Sequence, residues 1–273
     1  MTKGIICFAV NNESVDYIKQ ARFLAKRAKE YLDLPVSIVT DKDLEDKSYF
    51  DQVIVVPPND FKNWRHYHNG FDKKEVLVFK NDTRPLAYDL TPYDETIILD
   101  TDYVIASDYL LGAFDQDNDF LLHDKSIDLA YRRNSEEFWR VSDTSIKFYW
   151  ATCVFFRKTE TNKVFFDLLK HIQENWSYYN LLYNVQHQMY RNDYAFSIAI
   201  HIMNGFTDGD WAKTFTKPIH YVTDLDHLYK LENSTMIFLA SVESSVDSNI
   251  IVKIKDTDIH VMNKFSLEEH IDV

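Results

Sequence analysis

Glycine is scarce in this chain, five residues in 273. Phosphate cradling by a glycine-rich loop is therefore unsupported, and neither a P-loop nor a G-x-G-x-x-G fingerprint occurs. Any nucleotide would have to be held by side chains and a metal. Cysteine is scarcer still. Cys7 and Cys153 each lie inside an apolar stretch, GIICFAV and ATCVFF, so both are expected to be reduced and buried. Nothing resembles a disulfide framework or a C-x-x-C metal pair. No apolar stretch is long enough to cross a bilayer. The N-terminal apolar run is too short for a signal peptide and lacks a cleavage-type end, so a soluble, cytoplasmic protein with no membrane partner is expected. Basic charge is also short. The 30 Lys and Arg face 43 Asp and Glu, and the net −13 argues against a nonspecific nucleic-acid coat. Internal repeats, low-complexity tracts and glycine-serine linkers are missing too, and residues 1–273 read as a single domain.

What is present begins as an alternating α/β pattern. GIICFAV reads as a buried first strand, and Ser14 as the N-cap of an amphipathic helix with Val15, Ile18, Leu24, Ala25, Ala28 and Leu32 on its apolar face. Asp33-Leu34-Pro35 stops that helix, because proline disfavours helical geometry in the residue before it. VSIVTD reads as a second strand ending at Asp41, and QVIVVPP as a third. Strand, helix, strand at this spacing predicts a parallel sheet with right-handed crossovers. Residues 59–72 read as a polar loop over the sheet edge, and a helix is expected near residues 75–87. Further on, WATCVFFRK reads as a strand, residues 164–172 as a helix, and Asn192 or Asp193 as the cap of another helix. The later half is less regular, more α+β in character.

A threonine and three apolar residues run into two acids in Thr96-Ile97-Ile98-Leu99-Asp100-Thr101-Asp102. The stretch reads as a buried strand, with the acids where it emerges at its carboxyl end, the edge at which open α/β sheets bind ligands. Alternate residues of an extended chain point the same way, so both carboxylates can face one site. Held that close they repel unless something positive lies between them, and a divalent cation shared with substrate phosphates is the usual remedy. The plainer reading is two surface acids at a strand end.

Charge is unevenly spread. Residues 132–191 carry nine Lys or Arg and six Asp or Glu, so this segment is +3 and the remainder −16. The same segment holds Trp139, Trp150, Trp176, Tyr178, Tyr179, Tyr183 and Tyr190. Basic residues interleaved with aromatics suit an anionic, base-bearing partner. The same composition also describes an aromatic core wrapped by charged helices.

The segment PYDETIILDTD resembles the D-x-D region of nucleotide-sugar glycosyltransferases with the GT-A fold, especially glycogenin-like and related retaining enzymes. The resemblance implies an α/β fold of GT-A type. That means a Rossmann-like, mostly parallel central sheet flanked by helices, with a nucleotide-sugar-binding half (residues 1–105) and a more irregular acceptor half with a C-terminal metal and phosphate segment (residues 106–273). It implies metal ligation by Asp100, Asp102 and His260, with Mn2+ or Mg2+ as the ion. Donor contacts would come from Ala9, Val10, Asn11, Asp41, Arg84, Thr101, Thr152 and Lys264, and Asp193 would present an acid to the reacting sugar. The family pattern H-x-x-G-x-x-K is replaced here by H-V-M-N-K, two residues shorter and without glycine. As a whole, the opening forty residues resemble glycosyltransferases encoded by large tailed bacteriophages, some of which glycosylate hydroxymethylcytosine in DNA.

The expectation is thus a metal-dependent, retaining glycosyltransferase using a nucleoside diphosphate sugar, most naturally UDP-linked. The first acceptor to consider is DNA bearing hydroxymethylated cytosine, receiving glucose or arabinose by base extrusion. A polysaccharide or protein acceptor is the alternative. Two other classes stay open. D-T-D-Y-V also fits the aspartate phosphatase motif D-x-D-x-[TV], though that motif ends the first strand of its domain, whereas about a hundred residues precede it here. The third is a non-catalytic nucleotide-sugar-binding protein.

Overall fold

The structure is a computed structural model, described over residues 1–57, 63–70, 73–80, 82–130, 138–185, 189–241 and 249–273. Strand β1 (Lys3–Phe8) has Ile5, Ile6 and Cys7 wholly buried, the continuous apolar signature of a strand covered on both faces. Burial pushes the Cys7 thiol up to about 12, and Cys7 and Cys153 are both free and buried, as expected. Helix α1 (Tyr17–Leu32) starts later than the sequence suggested. The cap is Asp16, whose side chain accepts from the Lys19 N–H at 2.9 Å, and not Ser14. The Asn12 carboxamide oxygen accepts from the backbone of Ser14 and Val15, so a local side-chain turn occupies the place a cap would take. The helix ends at Asp33 with φ of 51°, followed by β2 (Val36–Thr40) and β3 (Gln52–Val55).

Two expectations fail in the next stretch. Within the segment read as a loop and the one read as a helix lie two strands, β4 (Asn63–Asn69) and β5 (Lys73–Phe79), paired antiparallel. Tyr67 and Leu77 bury themselves against Val15, so a tertiary partner decides the local structure. Pro85 forbids a continuous helix through this region because it lacks an N–H and clashes one turn back. Among the described residues of this stretch only a 3-10 turn (Arg84–Leu86) and the short α2 (Ala87–Leu90) are helical.

The chain continues through β6 (Glu95–Leu99), β7 (Tyr103–Val104), β8 (Phe120–His123), β9 (Ser126–Asp128) and β10 (Trp150–Arg157). Helices α3 (Glu160–Glu174), α4 (Trp176–Leu182) and α5 (Asn192–Met203) follow. The cap position of α5 falls on Arg191, in extended conformation, so neither Asn192 nor Asp193 caps it. Asp193 stands in the first turn, where a carboxylate faces free N–H groups. The chain closes with β11 (Lys213–Thr214), β12 (Ile219–Val222), β13 (His227–Glu232), β14 (Thr235–Ser241), β15 (Asn249–Lys255), β16 (Ile259–Val261) and α6 (Lys264–Glu269).

The central sheet has the order β11-β8-β10-β6-β1-β2-β3, and only β10 runs against the rest. This is an α/β fold with a mixed, mostly parallel sheet. From β1 the chain steps to β2 on one side, while β6 lies on the other. The crevice between β1 and β6 at their carboxyl ends is thus a topological switch point. A second sheet, β7-β16-β12-β9, stands beside that edge, and a three-stranded antiparallel sheet, β13-β14-β15, follows. Among the described residues no helix is long and apolar enough to cross a membrane.

Candidate active site

Asp100 and Asp102 stand at the carboxyl end of β6, at the switch point. Asp100 is half-buried, while Asp102 is 3% exposed. The second sheet delivers the third group. β16 pairs antiparallel with β7, which begins one residue after Asp102, so His260 lies opposite Tyr103 and the Val261 N–H donates to the Asp102 carbonyl at 2.9 Å. Asp100, Asp102 and His260 each offer a ligand atom within 4.8 Å of the others, and His260 Nε2 lies 3.3 Å from Asp102 Oδ1.

Two cations close on the pair. Lys264 Nζ donates to Asp102 Oδ2, and an Arg84 terminal nitrogen donates to Asp100 Oδ1. The shortened H-V-M-N-K spacing still reaches because β16 ends at Val261 and Asn263 caps α6, accepting from the Ser266 N–H at 3.0 Å. Lys264 is then the first helical residue. Burial alone would raise the Asp102 carboxyl. The charges of Lys264 and His260 more than reverse this and hold it well below the usual carboxylate range.

Strand β10 supplies the floor. Its register with β8 shifts between Trp150 and Val154, so the intervening peptides are released from that ladder. The Ala151 N–H donates to Asp193 Oδ1 at 2.9 Å, and the Ala151 carbonyl accepts from Arg84. The Thr152 carbonyl accepts from the Asp100 N–H at 3.0 Å, and its hydroxyl lies 3.5 Å from His260 Nδ1. Asp193 is thereby linked to Asp100 through the backbone of one residue, Ala151, and one guanidinium. Its other oxygen takes a bond from Arg191 at 3.1 Å. Burial works against the Arg191 charge, and Asp193 beside it raises its pKa in spite of that. The Arg84 Nε is buried and has no hydrogen-bond partner.

Other sequence candidates are placed elsewhere. Asp41 and Val10 line a small, shallow cleft with Thr83 and Lys80, whose ammonium is 3.6 Å from Asp41. Ala9 is fully buried, and its N–H donates to the Val39 carbonyl at 2.8 Å. The Asn11 side chain bonds Ile18 and Asp16, so it organises the start of α1. Thr101 turns away from the diacid, its hydroxyl donating to Gln20 of α1 at 3.3 Å. The sequence reading missed Tyr67, whose hydroxyl accepts the Lys264 N–H and whose ring lies under the Lys264 ammonium (5.6 Å). It also missed the edge-on packing of Trp150 against His260, with centroids 6.3 Å apart. Neither carries a local sequence signal. Arg191 was visible two residues before Asp193 but was absorbed into the basic segment.

Of the aromatics in residues 132–191, Trp150, Tyr183 and Tyr190 are buried, Trp176 and Tyr179 are partly buried against the core, and Trp139 and Tyr178 are exposed. Arg132, Arg133, Glu136 and Glu137 lie outside the described residues. An open cleft of about 1160 Å³ lies beside Trp139, lined also by Asp124, Arg140, Lys147 and Asp208, with Asp124 and Lys147 paired at 2.8 Å.

No protein-family model matches the chain, and no curated protein matches its sequence. Solved structures do resemble it in backbone path. The glycosyltransferase GlyE of Streptococcus pneumoniae TIGR4 is 11% identical with a TM-score of 0.44, covering 79% of this chain and 46% of GlyE. The chain therefore spans less than half the length of that protein. The galactosyltransferase LgtC, in complex with donor and acceptor sugar analogues, is 16% identical with a TM-score of 0.46, covering 77% of this chain and 72% of LgtC. A glucose-1-phosphate thymidylyltransferase of Bacillus anthracis, named from its likeness to such enzymes and bound to sucrose, is 8% identical, with a TM-score of 0.39 over 78% of this chain and all of that one.

Proposed function

We propose that this chain is a metal-dependent glycosyltransferase of GT-A type that moves a sugar from a nucleoside diphosphate to a hydroxyl acceptor. One observation carries the reading: two carboxylates and an imidazole converge within 4.8 Å at the switch point of a mostly parallel sheet, with Arg84 and Lys264 against them. The donor set fits a divalent transition ion, two hard oxygens and one nitrogen suiting Mn2+ better than Ca2+. Asp100, Asp102 and His260 would hold it, and when bound it supplies Lewis-acid neutralisation of a departing diphosphate. Arg84 and Lys264 bring two fixed positive charges to the place where that negative charge develops. Asp193, held by Ala151 and Arg191, is the carboxylate available to a cation-like sugar carbon or to the acceptor hydroxyl. Asp41, at the end of β2, would accept a hydrogen bond from the nucleoside, with Lys80 moving aside from it. A UDP donor and retention of stereochemistry follow from the resemblance of the D-x-D segment.

For the acceptor, the candidate is the open cleft beside Trp139. Among the described residues its charged lining, Lys125, Arg140 and Lys147 against Asp124 and Asp208, is nearly balanced, which favours a neutral carbohydrate over the phosphates of hydroxymethylated DNA. The test is a panel of nucleotide sugars, with and without manganese, against glycan, protein and hydroxymethylated-DNA acceptors, measuring released diphosphate. Manganese-dependent release from one donor, raised by an acceptor, is expected. Hydrolysis of simple phosphate esters with no sugar transfer would instead identify a phosphohydrolase, and donor binding without turnover a non-catalytic binder.

A further inference from the structure

A second group of metal-binding side chains lies at the other end of α6 from Lys264. His227 opens β13, Glu269 is the last residue of α6 and His270 caps it. Each offers a ligand atom within 4.8 Å of the other two, and His227 Nε2 is 3.8 Å from Glu269 Oε2. That separation is too long for a hydrogen bond. Two ligands of one tetrahedral ion, with bonds of about 2.0–2.1 Å, sit roughly 3.3 Å apart, so a small side-chain rotation would close the set.

The backbone around the trio is fixed from both sides. Before His227, the Asp226 carbonyl accepts from the Asn263 carboxamide at 2.9 Å, and the buried Asp226 carboxylate accepts from the N–H groups of Thr223 and Ser241. After it, the Leu228 N–H donates to Ser266 Oγ at 3.2 Å. Both anchors reach α6 or its cap, so β13 holds His227 against this helix. Among the described residues neither ring nitrogen of His270 has a hydrogen-bond partner, and His227 has only the distant carboxylate. Glu269 places a negative charge at the carbonyl end of a helix, where a cation is favoured and an anion is not.

We propose that His227, Glu269 and His270 form a second metal site that takes a borderline transition ion such as Zn2+, Co2+ or Ni2+. Two imidazoles and one carboxylate match these ions, whereas Mg2+ and Ca2+ select oxygen. Three protein ligands leave at least one position for water. Six residues of helical rise, about 9 Å, separate Lys264 from His270. An ion here ties the far end of α6 to β13 and so braces the helix whose first residue meets Asp102. The site is independent of the sugar-transfer reading and would survive its failure.

The experiment uses the full chain carrying Asp100→Asn, which removes one ligand of the first cluster, and titrates it with Zn2+ by calorimetry and with Co2+ by visible absorption. One equivalent of zinc is expected to remain bound and to raise Tm. Adding His227→Gln or His270→Gln should weaken that binding by at least about tenfold, since even indirect partners of metal ligands cost that much. The metal-free Tm should not move, because these side chains are only half-buried, and the exposed Glu269→Gln provides a further variant that cannot disturb the core. Zinc affinity unchanged in the histidine and glutamate variants would overturn the site, as would no zinc bound to Asp100→Asn.

Discussion

At the scale of single residues, Asp102 and Asp100 are not equivalent probes. Asp102 is buried and paired with Lys264 and His260, whereas Asp100 is half-buried and faces Arg84. Replacing Asp102 by Asn strands a buried ammonium, which typically costs about 3–5 kcal/mol. We expect Asp102→Asn to lose stability of that order in chemical denaturation, Asp100→Asn to lose less because Asp100 is only half-buried and Arg84 keeps the Ala151 carbonyl, and Lys264→Met added to Asp102→Asn to recover most of the loss. Equal stability of the two single variants would show that the Asp102–Lys264 pair does not hold the C-terminal segment. The two aspartates were legible because the apolar run Ile97-Ile98-Leu99 leads straight into them. His260 was legible only by resemblance, since its place depends on β16 pairing with β7 across more than 150 residues. Thr101 was named for its position between the acids, but alternation sends its side chain to Gln20 on the opposite side.

At the scale of elements, the Tyr93 ring packs directly on the backbone of β1 at Gly4. A Cβ there would lie 2.4 Å from the Tyr93 ring, and that ring is buried with its hydroxyl 2.8 Å from Ser37 Oγ. Gly4→Ala should therefore destabilise the protein by about 1–3 kcal/mol, the usual cost of overpacking, whereas Gly112→Ala, with nothing within 4 Å, should be close to neutral. Thermal or urea unfolding of the two variants checks this, and matching losses would contradict it. Elements whose period matched a buried face, β1, α1, β6, β10 and α3, were readable from the sequence. The β4–β5 hairpin was not, because Tyr67 and Leu77 find their partners in Val15 and Phe265. The register shift between β10 and β8 was equally invisible, yet it frees the Ala151 N–H that binds Asp193.

At the scale of the whole molecule, the mostly parallel sheet followed from strand-helix-strand spacing, and the switch point between β1 and β6 places the diacid where such sheets bind ligands. The positive segment was legible as composition but not as a surface, since several of its aromatics face the core. The central claim is that Asp100, Asp102 and His260 act as one metal site serving the diphosphate of a nucleotide sugar. The most direct test is Mn2+ binding, followed by paramagnetic resonance, in the parent chain and in Asp100→Asn, with and without UDP. The parent is expected to bind manganese more tightly when UDP is present, and Asp100→Asn to lose at least about tenfold in affinity along with that coupling. Parent-like manganese affinity and UDP coupling in Asp100→Asn would contradict the claim.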